Sequence, residues 1–86
     1  MYHISIDKKA YKELERLPKK DYVKITDSIY KLAENPKPHG CKELKGYPNH
    51  FRIRQGNYRV IYTVIQKQLT VHVIKIGHRK DVYEAF

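Results

Sequence analysis

HFRIRQGNYRVIYTVIQKQLTVHVIKIGHRKDVY, residues 50–83, decides how the rest of this chain is read. It contains three runs of strand character. His50–Arg54 alternates His50, Arg52 and Arg54 with Phe51 and Ile53. Tyr58–Ile65 and Leu69–Ile76 are rich in β-branched and aromatic residues, which favour strands. Gly56-Asn57 between the first two runs is a hairpin signal, and Gln66–Gln68 turns the chain before the third. The segment from Gly77 to Phe86 is too short for a full helix.

Parity assigns faces. Side chains alternate across a strand, and a two-residue hairpin loop makes opposed positions sum to an odd number. With Gly56-Asn57 as the loop, Arg54 faces Arg59; with Gln55-Gly56, Arg52 faces Arg59. Either register puts Arg52, Arg54 and Arg59 on one face. If the next turn also has two residues, Ile61 and Thr63 join that face with Thr70, His72, Ile74, Ile76 and, by extrapolation, His78. The other face holds Phe51, Ile53, Tyr58, Val60, Tyr62, Val64, Leu69, Val71 and Val73. It is much the more apolar, so any helices should pack there and leave the arginine face open.

The preceding residues supply those helices. Residues 2–6 (YHISI) read as a first strand, and Asp7 can cap the helix that follows. Ala10, Leu14 and Leu17 mark one face of a helix over residues 8–17. Pro18 breaks that pattern and can open a second helix over residues 18–34, with Tyr22, Ile25, Ile29 and Leu32 on one stripe. Asn35-Pro36 should end it. Two helices joined this tightly should form an antiparallel hairpin on the sheet. Residues 35–49, with three of the four prolines, read as a loop long enough to suspect a role. His39, Lys42 and Lys45 in it could touch phosphate or serve only solubility.

Composition narrows the function classes. Eighty-six residues make a single domain, taken as 1–86. No apolar run approaches the ~20 residues that span a bilayer. The start MYHISIDKK lacks the apolar core of a signal peptide. Cys41 is the only cysteine, which excludes an internal disulfide and fits a cytoplasmic location. Lys+Arg 18 against Asp+Glu 9 gives a net charge of +9, which suits nucleic acid, an anionic membrane surface or an acidic partner. Clustered arginines repel one another across a sheet, so an anion that neutralises them is expected there. The alternative is an edge that uses charge to discourage sheet pairing.

Arginine forks match phosphate oxygens and can stabilise charge that develops in a transition state. RNA carries its own nucleophile, the 2′-hydroxyl, so such a face could cut it without metal or cofactor. No HExxH, no CxxC and few acidic residues agree with that. Arginine does not transfer protons. Histidine can, which makes His78 the first candidate, His50 the second and His72 the third. Tyr83 could stack on a base or donate its phenolic proton, or pack back on the core.

KELKGYPNHFRIR (42–54), GNYRVIY (56–62) and IGHRKDVY (76–83), in this order, resemble the RelE/ParE toxin superfamily, closest to its RelE branch. The resemblance covers nearly the whole chain. It implies a β-α-α-β-β-β α+β fold with an antiparallel sheet. It also implies a toxin that enters the ribosomal A site and cleaves mRNA by metal-free 2′-hydroxyl attack. Carried over by motif, Arg59 and Arg79 would hold phosphate and stabilise the transition state, and Tyr83 would stack on or orient a nucleotide. Arg52 and Arg54 fall where relatives carry basic residues, often lysine. Lysine has been considered as a general base there; arginine cannot serve, so suspicion moves to His78. RNA contacts would come from Arg52, Arg54, Lys42, Lys45 and His50. The implied partners are a RelB-like antitoxin, the ribosome and mRNA, with a monomer when free. A gyrase inhibitor of the ParE type and a non-catalytic nucleic-acid-binding domain are the rival readings.

Overall fold

In the computed structural model, which describes residues 1–79, each helix begins where its capping chemistry allows. Asp7 caps α1 (Lys8–Glu15): its Oδ2 accepts from the Lys9 N–H at 3.0 Å. Pro18 immediately precedes α2 (Lys19–Lys31) and offers no side-chain cap. α2 stops three residues short of Glu34 because its last turn tightens. The N–H groups of Leu32, Ala33 and Glu34 bond to Ile29, Tyr30 and Lys31, three residues back, before Asn35-Pro36.

The five strands are β1 (His3–Ile6), β2 (Lys42–Glu43), β3 (His50–Gln55), β4 (Tyr58–Ile65) and β5 (Thr70–His78). They form one sheet in the order β1-β5-β4-β3-β2. β2 lies inside the segment that reads as a loop, pairing Lys42 with Arg52. The sheet is antiparallel except at one edge, where β1 runs parallel to β5. Both helices cover the apolar face. Ala10 and Leu14 of α1, with Ile25 and Ile29 of α2, are buried against Phe51, Val60, Tyr62, Val71, Val73 and Ile76. Each large aliphatic side chain buried there stabilises the fold by about 1.5–3 kcal/mol.

Two local features set the faces. Gly56, at φ +61, is the first central residue of the β3–β4 hairpin and gives the register Arg54↔Arg59, as the Gly56-Asn57 loop predicts. The β4–β5 connection differs from a two-residue turn. Gln66–Gln68 make a 3₁₀ turn, and Leu69 follows in the left-handed region at φ 47, 53 % exposed instead of on the core face. Ile65 still pairs with Thr70 and Thr63 with His72, so parity survives the turn.

It does not survive β5. Tyr62 pairs with Val73 but Ile61 pairs with Lys75, so Ile74 is an extra residue in a β-bulge. Beyond it the alternation reverses. Ile76 opposes Val60 and is fully buried in the core, and His78 opposes Tyr58. Both were expected on the arginine face; the bulge turns them to the helix side.

Candidate nucleic-acid interface

Three rows of side chains cross the face away from the helices. At one end Ser5, His72, Thr63 and His50 lie in register across β1, β5, β4 and β3. Ile61, Arg52 and Lys42 form the next row; Lys75 is in register with Ile61, but its ammonium meets the Glu13 carboxylate of α1 at 3.3 Å. Gly77, Arg59 and Arg54 form the third, at the hairpin end. Phe51, Ile53 and Gln55 face β4 with their backbone groups, so Arg54 and Arg59 form a non-hydrogen-bonded pair, whose Cα atoms come within about 4.5 Å.

Arg79 follows one step beyond this third row. Its N–H donates to the Asn57 carbonyl at 2.8 Å, which extends the Tyr58↔His78 ladder by one step. The alternation that puts Gly77 beside Arg59 therefore continues to Arg79. Three arginines converge at the tip of the β3–β4 hairpin.

Arg59 is not displayed as an open side chain. It is only 8 % exposed, and its Nη1 donates to the Tyr58 carbonyl at 3.0 Å and the Gly56 carbonyl at 3.4 Å. The turn thus fixes the guanidinium in place. Arg54 is exposed and Arg52 half-buried. Ile61, in register with Arg52 on the same face, is fully buried.

The other predicted site residues divide. Lys42 shares the Arg52 row, and Lys45 is exposed in the connection that leads into His50. His50 is half-buried at the far end of β3, with Nδ1 2.9 Å from the Pro48 carbonyl. A carbonyl only accepts, so Nδ1 carries the proton and a neutral ring keeps its lone pair on Nε2. His72 Nδ1 meets Ser5 Oγ at 3.0 Å. His78 does not join the arginines. Its ring packs edge-on against Tyr58, centroids 6.0 Å apart, in a small cleft with Glu13, Arg16 and Leu17 of the α1 end. His39 lines a different cleft, between α2 and the β3 edge. Tyr83 lies outside the described residues.

One anchoring group escaped the sequence. The Tyr62 hydroxyl donates to the Pro36 carbonyl at 2.6 Å, tying the core to the start of the 35–49 connection. Burial, with the neighbouring Cys41 adding to it, holds this phenol well above its ordinary range. Only tertiary contact reveals such a bond, because the partners lie 26 residues apart. Among the described residues there is no group of three or more His, Cys, Asp or Glu arranged to hold a metal ion. No helix among them is long and apolar enough to cross a membrane.

The family described as "ParE toxin of type II toxin-antitoxin system, parDE" matches residues 4–83. This chain belongs to the RelE/ParE toxin superfamily. It is 31 % identical to the putative toxin RelE1 of Methanocaldococcus jannaschii over 96 % of both chains. It is 30 % identical to the mRNA interferase toxin RelE of Escherichia coli, over 95 % of this chain and 90 % of that one. The fold matches the archaeal RelE of the RelE–RelB complex from Pyrococcus horikoshii with a TM-score of 0.81 at 31 % identity, covering 91 % of this chain and 94 % of that one. The isolated E. coli RelE toxin gives a TM-score of 0.81 at 26 % identity, over 91 % of this chain and 84 % of that one. In this RelE-type chain the GNYR and GHR motifs supply Arg59 and Arg79, the two arginines that the hairpin tip brings together.

Proposed function

We propose that this RelE-type toxin is an endoribonuclease that acts on mRNA in the ribosomal A site and is held inactive by a RelB-like antitoxin. The observation that carries the reading is the convergence of Arg54, Arg59 and Arg79 at one hairpin tip. Three permanent cations side by side fit a phosphodiester whose charge grows as the 2′-oxygen attacks phosphorus. Arg59 is anchored before substrate arrives, so little reorganisation is needed at the reacting centre. Arg52, Lys42, Lys45 and His50 extend the cationic surface along β3 and would hold neighbouring phosphates. Tyr83 would orient a nucleotide at the same site.

Proton transfer is the weaker part of such a site. The bulge carries His78 away from the arginine row, so its direct role as base is replaced by a positioning one, through Tyr58 and the strand end. Catalysis then rests on charge stabilisation and alignment of the attacking oxygen. The names of relatives support this reading: E. coli RelE is called an mRNA interferase, and the P. horikoshii structure is a RelE–RelB complex.

Primer extension on an mRNA engaged by translating ribosomes tests the proposal. Discrete cuts within codons, absent from naked mRNA, are expected. Inhibited translation with intact mRNA would overturn the nuclease reading. The family match is described by the ParE toxin, which favours gyrase inhibition as the second reading. A supercoiling assay run alongside separates the two.

A further inference from the structure

Tyr47 stands exposed at the start of β3, 40 % accessible, and takes no part in the hydrophobic core. Tyr11 and Tyr30 are exposed as well, but both lie on the helices, across the sheet from the arginines. Tyr47 instead sits against His50, ring centroids 6.0 Å apart and planes tilted by 59°. His50 shares the arginine face, in the same alternation as Arg52 and Arg54. The Tyr47 ring thus stands at the end of that face.

The connection over residues 44–49 holds the ring there. The Leu44 N–H donates to the His50 carbonyl at 2.8 Å, and the Tyr47 N–H to the Leu44 carbonyl at 3.1 Å. The His50 N–H donates to the Tyr47 carbonyl at 3.1 Å, and the Asn49 N–H to Glu43 Oε2 at 3.2 Å. Gly46 and Asn49, on either side of Tyr47-Pro48, take left-handed φ values of 84 and 63. A ring carried on so closed a turn loses little freedom when a ligand covers it. Lys45, exposed on the same turn, and Lys42, paired with Arg52, join it to the arginines by positive charge.

We propose that Tyr47 is a stacking platform for one nucleobase of the mRNA strand whose phosphates run along Arg54, Arg52, Lys42 and Lys45. The inference rests on the nuclease reading above and deepens it. Along β3, His50 lies about 13 Å from Arg54 at the ordinary strand rise. That span separates Tyr47 from the nucleotides at the cut, so the base belongs to one further along the strand. An accessible aromatic ring at the end of a cationic track suits single-stranded RNA, whose phosphates follow the cations while an unpaired base covers the ring. Every base has a π-face, so Tyr47 adds grip and register and leaves the choice of base open.

2-Aminopurine fluorescence, which falls when the base stacks, reads this directly. Ribosomes are programmed with an mRNA whose A-site codon carries 2′-O-methyl groups and cannot attack, with 2-aminopurine at one position at a time. Wild-type toxin is expected to quench one position outside the cut step. Tyr47→Ala should abolish that quench and weaken toxin binding at least about fivefold, the scale of one lost base stack, whereas Tyr47→Phe should keep both. In single-turnover cleavage of unmodified mRNA, Tyr47→Ala should act on the half-saturating toxin concentration more than on the maximal rate, the mark of lost binding. A quench that persists in Tyr47→Ala overturns the inference, as does a loss confined to the maximal rate or the absence of any quench with wild-type toxin bound. If wild-type toxin neither binds nor cuts ribosome-engaged mRNA, the nuclease reading itself fails, which is a distinct result.

Discussion

At the scale of single residues, the site depends on how each guanidinium is held. Arg59 is anchored to the turn carbonyls, whereas Arg54 is exposed. Arg59→Ala is expected to lower single-turnover mRNA cleavage by about a hundredfold or more, the scale of losing one preorganised charge stabiliser. His78→Ala is expected to cost less than about tenfold, because its ring packs on Tyr58 behind the arginine row. Equal losses in ribosome-programmed cleavage would restore His78 to the reacting centre. Tyr62 makes a second residue-scale prediction. Its phenol is raised in the fold, so its stabilising bond is fully present below pH about 10, the unfolded value, and is lost as pH climbs toward the folded one. Tyr62→Phe should cost about 1–2 kcal/mol at neutral pH by orphaning the Pro36 carbonyl. The variant should also lack part of the stability loss that wild type shows above pH 10, as read by urea melts across pH.

At the scale of elements, the bulge in β5 matters most. Counting from a tight turn assigns Ile76 and His78 to the arginine face, and the count is correct as far as His72. One extra residue, Ile74, then moves Ile76 into the core and brings Gly77 and Arg79 beside Arg59. Without the bulge, Arg79 would fall on the helix side. Deleting Ile74 should leave Val73, Lys75 and Ile76 opposite Tyr62, Ile61 and Val60 in an unbroken ladder, so Ile76 should stay in the core and the domain should lose less than about 2 kcal/mol. A chemical melt of the deletion variant measures this. A loss of about 2–5 kcal/mol would mean instead that Ile76 leaves the core.

At the scale of the whole molecule, charge and layering work together. Two helices screen one face of the sheet, so the excess of cations at +9 acts mainly through the opposite face and its edge. Binding to single-stranded RNA should weaken steeply with salt. Three to four neutralised phosphates give a slope of log K against log salt of about −2 to −3. A filter-binding titration from low to moderate ionic strength checks this, and a flat response would deny phosphate contact on this face. Replacing Arg54 should lower the slope by somewhat less than one, because one fewer counterion is released.

The sequence by itself determined the element types, the hairpin register at Gly56-Asn57 and the apolar face. All are local: period, turn chemistry and parity over a few residues fix them. It also determined family membership, through three motifs kept in order between residues 42 and 83. The tertiary structure alone decided which residues finally share the site. A bulge has no sequence mark in VHVIKIGH; it lets Val73 and Ile76, three residues apart, both reach the core. The same holds for the parallel pairing of β1, the short β2 that leaves the Arg54 edge open, and the Tyr62–Pro36 bond. Each joins segments distant in sequence, where packing, and not local preference, sets the energy. The arginine stretch was legible as a cationic face; its convergence into a site, with His78 turned away, was not.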